Sequence, residues 1–187
     1  MYERWEAWLN TIDKMETTRL IFRAWRDGDA EVLFRLASDP EVGPRAGWPP
    51  HRSADESLHI IRTVFHNETT WAIVLKETGL PIGAIGYGPS CDCALPARPG
   101  EPTVGYWVGR PYWNRGFCTE ALAWMVDRVR RHTLLPSLIS GHFTDNPASG
   151  RVMEKCGFSP TGETAFDDKL EGGKDRPIRV LRLEIAR

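Results

Sequence analysis

The chain of 187 residues is 41% hydrophobic and 26% charged, ordinary globular proportions that exclude disorder and allow one domain with a full core. A formal net charge of -1 supplies no global attraction to nucleic acid or an anionic membrane, and no apolar run approaches the ~20 residues of a membrane span. Residues Met1 to Glu6 lack the apolar core of a signal peptide, so a cytoplasmic location is expected.

Residues 1–14 place Trp5, Trp8, Leu9 and Ile12 on one stripe of an amphipathic helix. This extension is expected to pack on the domain or on a twin subunit, which makes a homodimer a candidate assembly. A strand follows at Arg19–Trp25. Asp27 or Asp29 can cap a helix running to about Ser38. Residues 39–52 hold four prolines and two glycines, and no regular structure is expected there. Ser53 and Glu56 have capping-box spacing, and Leu58, Ile61, Val64 and Phe65 continue that helix.

A hairpin comes next, Thr70–Leu75 and Pro81–Tyr87 about the turn Glu77–Leu80. Residues 88–102 read as a loop. Val104, Tyr106 and Val108 alternate as a strand requires, and Pro111, Asn114 and Gly116 break the pattern. Cys118, Leu122, Met125, Val126 and Val129 then recur at helical spacing. Ser137–Phe143 is a further strand. Asp145–Ser149 opens a short helix ending at Cys156, with Gly157 placed for a left-handed cap and Phe158 for its apolar contact. Two last strands, near 163–168 and 177–185, flank a glycine turn at Glu171–Lys174.

The strand–turn–helix between Thr103 and Ala121 carries the chemistry. A turn feeding straight into a helix leaves N–H groups unpaired at the positive end of the helix dipole, where a phosphate binds readily. Gly116 lacks a Cβ and lets an anion approach the backbone. Cys91, Cys93, Cys118 and Cys156 have no zinc spacing, so reduced structural thiols and no metal are expected.

Two segments carry a family resemblance. Gly105–Gly109 with Tyr112–Ala121, and Asn146–Ser149 with Val152–Phe158, resemble the two cofactor segments of the GNAT acyl-CoA N-acyltransferases. Within that family they are most similar to the ribosomal-protein N-terminal acetyltransferases of the RimJ/RimL type. The order of elements from Met15 to the C-terminus is similar as well. Trp113 and Cys118 stand where the wider superfamily has Gln or Arg and Gly or Ala, but neither removes a backbone N–H.

The resemblance implies an α/β fold, a single domain over residues 15–187. Its central mixed, mostly antiparallel sheet of about six to seven strands has helices on both faces. Acetyl-CoA is the implied co-substrate, its diphosphate held by the amides of Asn114, Arg115, Gly116, Phe117, Cys118 and Thr119, with added charge from the Arg115 side chain. The pantetheine arm is expected along the backbone of Trp107, Val108 and Gly109, where strand 103–109 splays from strand 137–143, and against Asn146. Ser149 is implied as the acid that protonates the leaving thiolate. Glu101, His142, Asp145 and Glu163 are candidate bases; Glu163 stands where some relatives place one.

Transfer of an acetyl group to a primary amine by direct attack in a ternary complex follows, with a protein N-terminus as the leading acceptor. A small amine (an antibiotic, polyamine or amino-acid analogue) is the alternative, as is a non-catalytic acyl-CoA-binding regulator. Trp48, His51 and the loop 88–102 are candidate walls of the acceptor site.

Overall fold

The computed structural model describes residues 15–89, 95–167 and 176–185. The expected N-terminal helix, Cys91 and Cys93, and the turn at Glu171–Lys174 lie outside them. Seven strands form one sheet: β1 (Leu20–Arg23), β2 (Thr70–Leu75), β3 (Leu80–Gly88), β4 (Thr103–Val108), β5 (Ser137–Phe143), β6 (Ser159–Phe166) and β7 (Pro177–Glu184). The strand order is β1-β2-β3-β4-β5-β7-β6. Every neighbouring pair is antiparallel except β4 and β5. The helices are α1 (Ala30–Ala37), α2 (Gly43–Ala46), α3 (Ala54–Thr63), α4 (Phe117–His132) and α5 (Pro147–Lys155). None is long and apolar enough to cross a membrane.

Strand β2 shows how the sequence fills both faces. Side chains alternate across a sheet, so Trp71, Ile73 and Leu75 enter one core while Ala72 and Val74 enter the other. The first core packs under α4 through Leu122, Met125 and Val129, and under α5 through Met153. The second packs under α1 through Leu33 and under α3 through Ile61. Truncating any of these fully buried large side chains to Ala costs about 2–5 kcal/mol.

Local signals hold at several boundaries. The Ser53 side chain accepts from Glu56 N at 3.1 Å, as expected of an N-cap, but the Glu56 carboxylate reaches one residue further back, to Arg52 N at 2.6 Å. After α5, Phe158 N donates to Met153 O and Gly157 N to Glu154 O, with Gly157 at φ 93°. That double bond is the Schellman closure, and Phe158 is buried beside it. Asp29 stands at the start of α1 without capping it. Its carboxylate instead takes two bonds from Arg23 and one from Arg26 N.

Two expectations need correction. The Pro-rich stretch 39–52 contains one helical turn, α2, with Pro44 in its first turn. Proline is tolerated there because that N–H has no intrahelical partner. Strand β6 begins at Ser159, four residues ahead of the expected start. β6 is an edge strand with a register shift between Pro160 and Thr164, a setting in which the donor that Pro160 lacks is not needed.

Glu101 and Arg182 close the base of the sheet. Glu101 is 1% exposed and Arg182 13%, with Nε to Oε1 at 2.8 Å. A second guanidinium bond and the Arg98 amide complete the carboxylate's shell. Desolvation raises the Glu101 pKa, but these hydrogen bonds outweigh it and hold the carboxyl below its ordinary 4.5. Arg182→Met strands that charge and is expected to destabilise the fold by about 3–5 kcal/mol near neutral pH, read by urea unfolding. A depressed carboxylate stabilises above its unfolded pKa and loses that effect as pH falls through the folded value. The gap between wild type and variant should therefore narrow below pH 4.5.

Candidate functional site

The turn between β4 and α4 is built from backbone geometry. Arg110–Tyr112 form a single 3-10 turn after Gly109. Asn114 (φ 58°) and Gly116 (φ 78°) then adopt left-handed conformations on either side of Arg115. Alternation of this kind turns successive N–H groups into a concave anion-binding nest. The first intrahelical bond of α4 is Glu120 N to Gly116 O at 3.0 Å. The amides of Phe117, Cys118 and Thr119 precede it and have no intrahelical acceptor. Sixteen residues of helix dipole stand behind them.

From this turn a cavity of ≈ 540 Å³ runs between β4 and β5. The two strands meet at one bridge, Thr103 with Ile139, while β4 pairs with β3 at six positions. Gly109 N donates to Ile82 O, which fixes the alternation along β4. Trp107 and Gly109 direct their main-chain groups at β3, and Val104, Tyr106 and Val108 direct theirs at the gap. Of the expected gripping edge of Trp107, Val108 and Gly109, only Val108 turns its main-chain groups to the gap; those of Trp107 and Gly109 face β3, and Tyr106 and Val104 share the gap side with Val108. Ser140 Oγ donates to Val104 O at 2.9 Å, and Trp113 Nε1 to Val108 O at 2.8 Å. The Trp107 side chain packs edge-on against Trp48 at 5.3 Å on the opposite face.

Helix α5 closes the other wall. Tyr106 Oη donates to Ser149 O at 2.9 Å and lies 3.0 Å from Ser149 Oγ. The carbonyl takes the phenol's one proton, so the phenolic oxygen is free to accept from Ser149. Burial drives the Tyr106 pKa well above its ordinary value, and the side chain remains a neutral phenol. Asn146 stands at the N-cap position, but its side chain makes no cap. Its Nδ2 donates instead to Arg45 O at 3.1 Å. Arg176 adds a bond to Pro44 O at 2.9 Å and grips Asp145 with its other nitrogen. Together they hold α2 against the start of α5.

Of the residues expected at the site, Trp107, Val108, Asn114, Gly116, Phe117, Cys118, Thr119, Asn146 and Ser149 line this cavity. Arg115 is on the outer side of the turn, its guanidinium 5.1 Å from the centre of the Phe117 ring. Cys118 is on the wall, yet burial pushes its thiol up to about 12. It stays protonated, and so does Cys156, raised by the same cause; neither offers a thiolate. Among the described residues, no group of three His, Cys, Asp or Glu could hold a metal.

The four candidate bases separate cleanly. Glu101 is sealed against Arg182, Asp145 is engaged by Arg176, and Glu163 is exposed on β6 away from the cavity wall. His142 is the one on the wall. Its Nδ1 meets Phe143 O at 2.8 Å. A carbonyl only accepts, so Nδ1 carries a hydrogen, and in the neutral ring the lone pair is on Nε2.

Two contributors escaped the sequence reading. Tyr106 was readable from strand parity once the gap side was known. Arg19 was not: it donates to Arg115 O and to Glu120 across 96 and 101 residues of chain. An amide nest leading into a long gap with an unpaired strand edge fits an elongated cofactor carrying a diphosphate at one end and amides along its arm. Gly116→Asp introduces a side chain at a left-handed φ and a carboxylate that competes for the nest. Calorimetry should show coenzyme A affinity falling by at least about tenfold.

The comparisons with known proteins agree with this geometry. Residues 19–159 match the family model described as an acetyltransferase (GNAT) domain. The chain is 31% identical over 153 residues to the uncharacterized N-acetyltransferase YoaA of Bacillus subtilis (strain 168), covering 79% of this chain and 84% of that one. Its fold is similar to spermidine N-acetyltransferase from Vibrio cholerae, in complex with CoA and spermine (TM-score 0.71, 15% identity, 90% and 97% of the two chains covered). It is equally similar to RimL, a ribosomal L7/L12 alpha-N-protein acetyltransferase in complex with coenzyme A (TM-score 0.72, 15% identity, 90% and 96% covered). The chain belongs to the GNAT family and is an acetyl-CoA-dependent N-acetyltransferase.

Proposed function

We propose that this enzyme acetylates a protein N-terminal α-amine by direct attack in a ternary complex, as a member of the RimJ/RimL-like branch working in the cytoplasm. The observation that carries the choice of acceptor is the charge of the cavity wall. Among the described residues the wall holds Arg45, Arg151 and Lys155 but a single carboxylate, Asp167. A polycationic amine would need several acidic partners. An α-amine needs little help, because its pKa of roughly 7.7–8 leaves much of it neutral near physiological pH, against ~10.4 for a lysine-type amine.

Acetyl-CoA supplies the electrophilic thioester carbonyl and the leaving thiolate. The amides from Asn114 to Thr119 neutralise the diphosphate, and the free edge of Tyr106 and Val108 orients the arm. Ser149 Oγ–H, whose one hydrogen rests on Tyr106 Oη in the free enzyme, turns it to the leaving sulfur as the proposed proton donor and recovers a proton from solvent. His142 Nε2 is the proposed acceptor of the proton that the amine sheds. Glu163, off the wall, is assigned no proton.

Release of free thiol from acetyl-CoA should be faster with peptides bearing a free α-amine than with spermidine or lysine side chains. Faster turnover on a polyamine would overturn the acceptor assignment, and binding without turnover on any amine would favour a regulator. The rate on an α-amine peptide should climb with pH and level off near about pH 8. Ser149→Ala should lower kcat by about a hundredfold while the acetyl-CoA Kd by calorimetry stays level.

A further inference from the structure

We infer that Arg19 is a positioning residue for the diphosphate turn, cancelling from behind the charge that Glu120 brings to it; the inference rests on the reading that this turn holds the cofactor's diphosphate. Glu120 lies in the first turn of α4, where a carboxylate opposes the field that the helix end directs at an anion. It is ionised. Desolvation raises its pKa, but hydrogen bonds from Thr17, the Arg19 amide and the Arg19 side chain hold it below the ordinary value. Those bonds measure 2.5 Å from Thr17 Oγ1, 3.0 Å from Arg19 N and 2.7 Å from Arg19 Nε.

The Arg19 guanidinium closes the ion pair with Nη2 at 2.6 Å, its side chain 44% exposed and that of Glu120 18%. Nη1 of the same group donates to Arg115 O at 2.9 Å. Its carbon lies 4.4 Å from the centre of the Phe117 ring, and Nη2 is 3.5 Å from where a Cβ on Gly116 would stand. Arg19 thus touches three consecutive residues of the turn, yet it is not on the cavity wall. Its effect on the cofactor passes through the turn. With Arg19 present the Arg19–Glu120 pair is neutral and the amide nest keeps its positive potential. Without it an uncompensated carboxylate stands within one helical turn of the incoming diphosphate and repels it.

Calorimetric titration of coenzyme A into the full chain at low salt tests this. Arg19→Met should weaken affinity about tenfold, Arg19→Lys less than about threefold, and Arg19→Met with Glu120→Gln should recover to within about threefold of wild type. The wild-type advantage over Arg19→Met should shrink as KCl rises from about 0.05 M to about 0.5 M. Glu120→Gln alone keeps the Arg19 contacts to Arg115 and Phe117, and should bind at least as tightly as wild type. Unchanged affinity in Arg19→Met, a double variant as weak as the single, or weakened binding by Glu120→Gln overturns the inference. Absence of heat from the wild-type chain overturns the diphosphate reading itself, a separate result.

Discussion

The site depends on the separation of two parallel strands after one bridge. Main-chain N–H and C=O groups in a sheet interior are normally paired. Beyond Thr103 and Ile139, β4 and β5 part, and the gap edge of β4 loses its neighbour. Side chains satisfy part of that edge: Ser140 reaches Val104 O and Trp113 reaches Val108 O. Tyr106 stands between them, and an amide-bearing arm can occupy what remains. The fold leaves strand hydrogen bonds open along this gap.

A strand pair that opens needs to be pinned where it closes. Glu101 lies two residues ahead of β4, and Arg182 lies on β7, which flanks β5 along its whole length. Their buried ion pair ties the closed end across the sheet. The two cores do the rest from above and below: α4 and α5 grip one face, α1 and α3 the other. The opening is therefore held by rigid elements at the end away from the chemistry, the arrangement that keeps a site in register.

Much of this was legible in the sequence wherever the signal is local. Alternation in Val104–Val108, the break at Asn114–Gly116 and the spacing from Cys118 onward give the strand, turn and helix that form the amide nest and the gap. Gly157 and Phe158 mark the end of α5 correctly. What stayed hidden was set by tertiary contact. Which edge of β4 faces the gap is decided by Gly109 bonding Ile82, a pairing without trace in local periodicity. Asn146 was expected against the pantetheine arm, and the acceptor its side chain finds, Arg45 O, is 101 residues away. The stretch around Pro44 was misread because proline's meaning depends on whether its missing donor was needed, and only the first turn of α2 answers that.

The two bonds that α2 receives have a consequence of their own. Pro44 O and Arg45 O accept from Arg176 and Asn146, so the loop beside Trp48 is stitched to the segment that begins α5. An outward swing of that loop breaks both stitches together, and it releases the residues that lead directly into Ser149. The position of α2 and that of the Ser149 hydroxyl are thus mechanically joined, and loosening either stitch would leave both less steady.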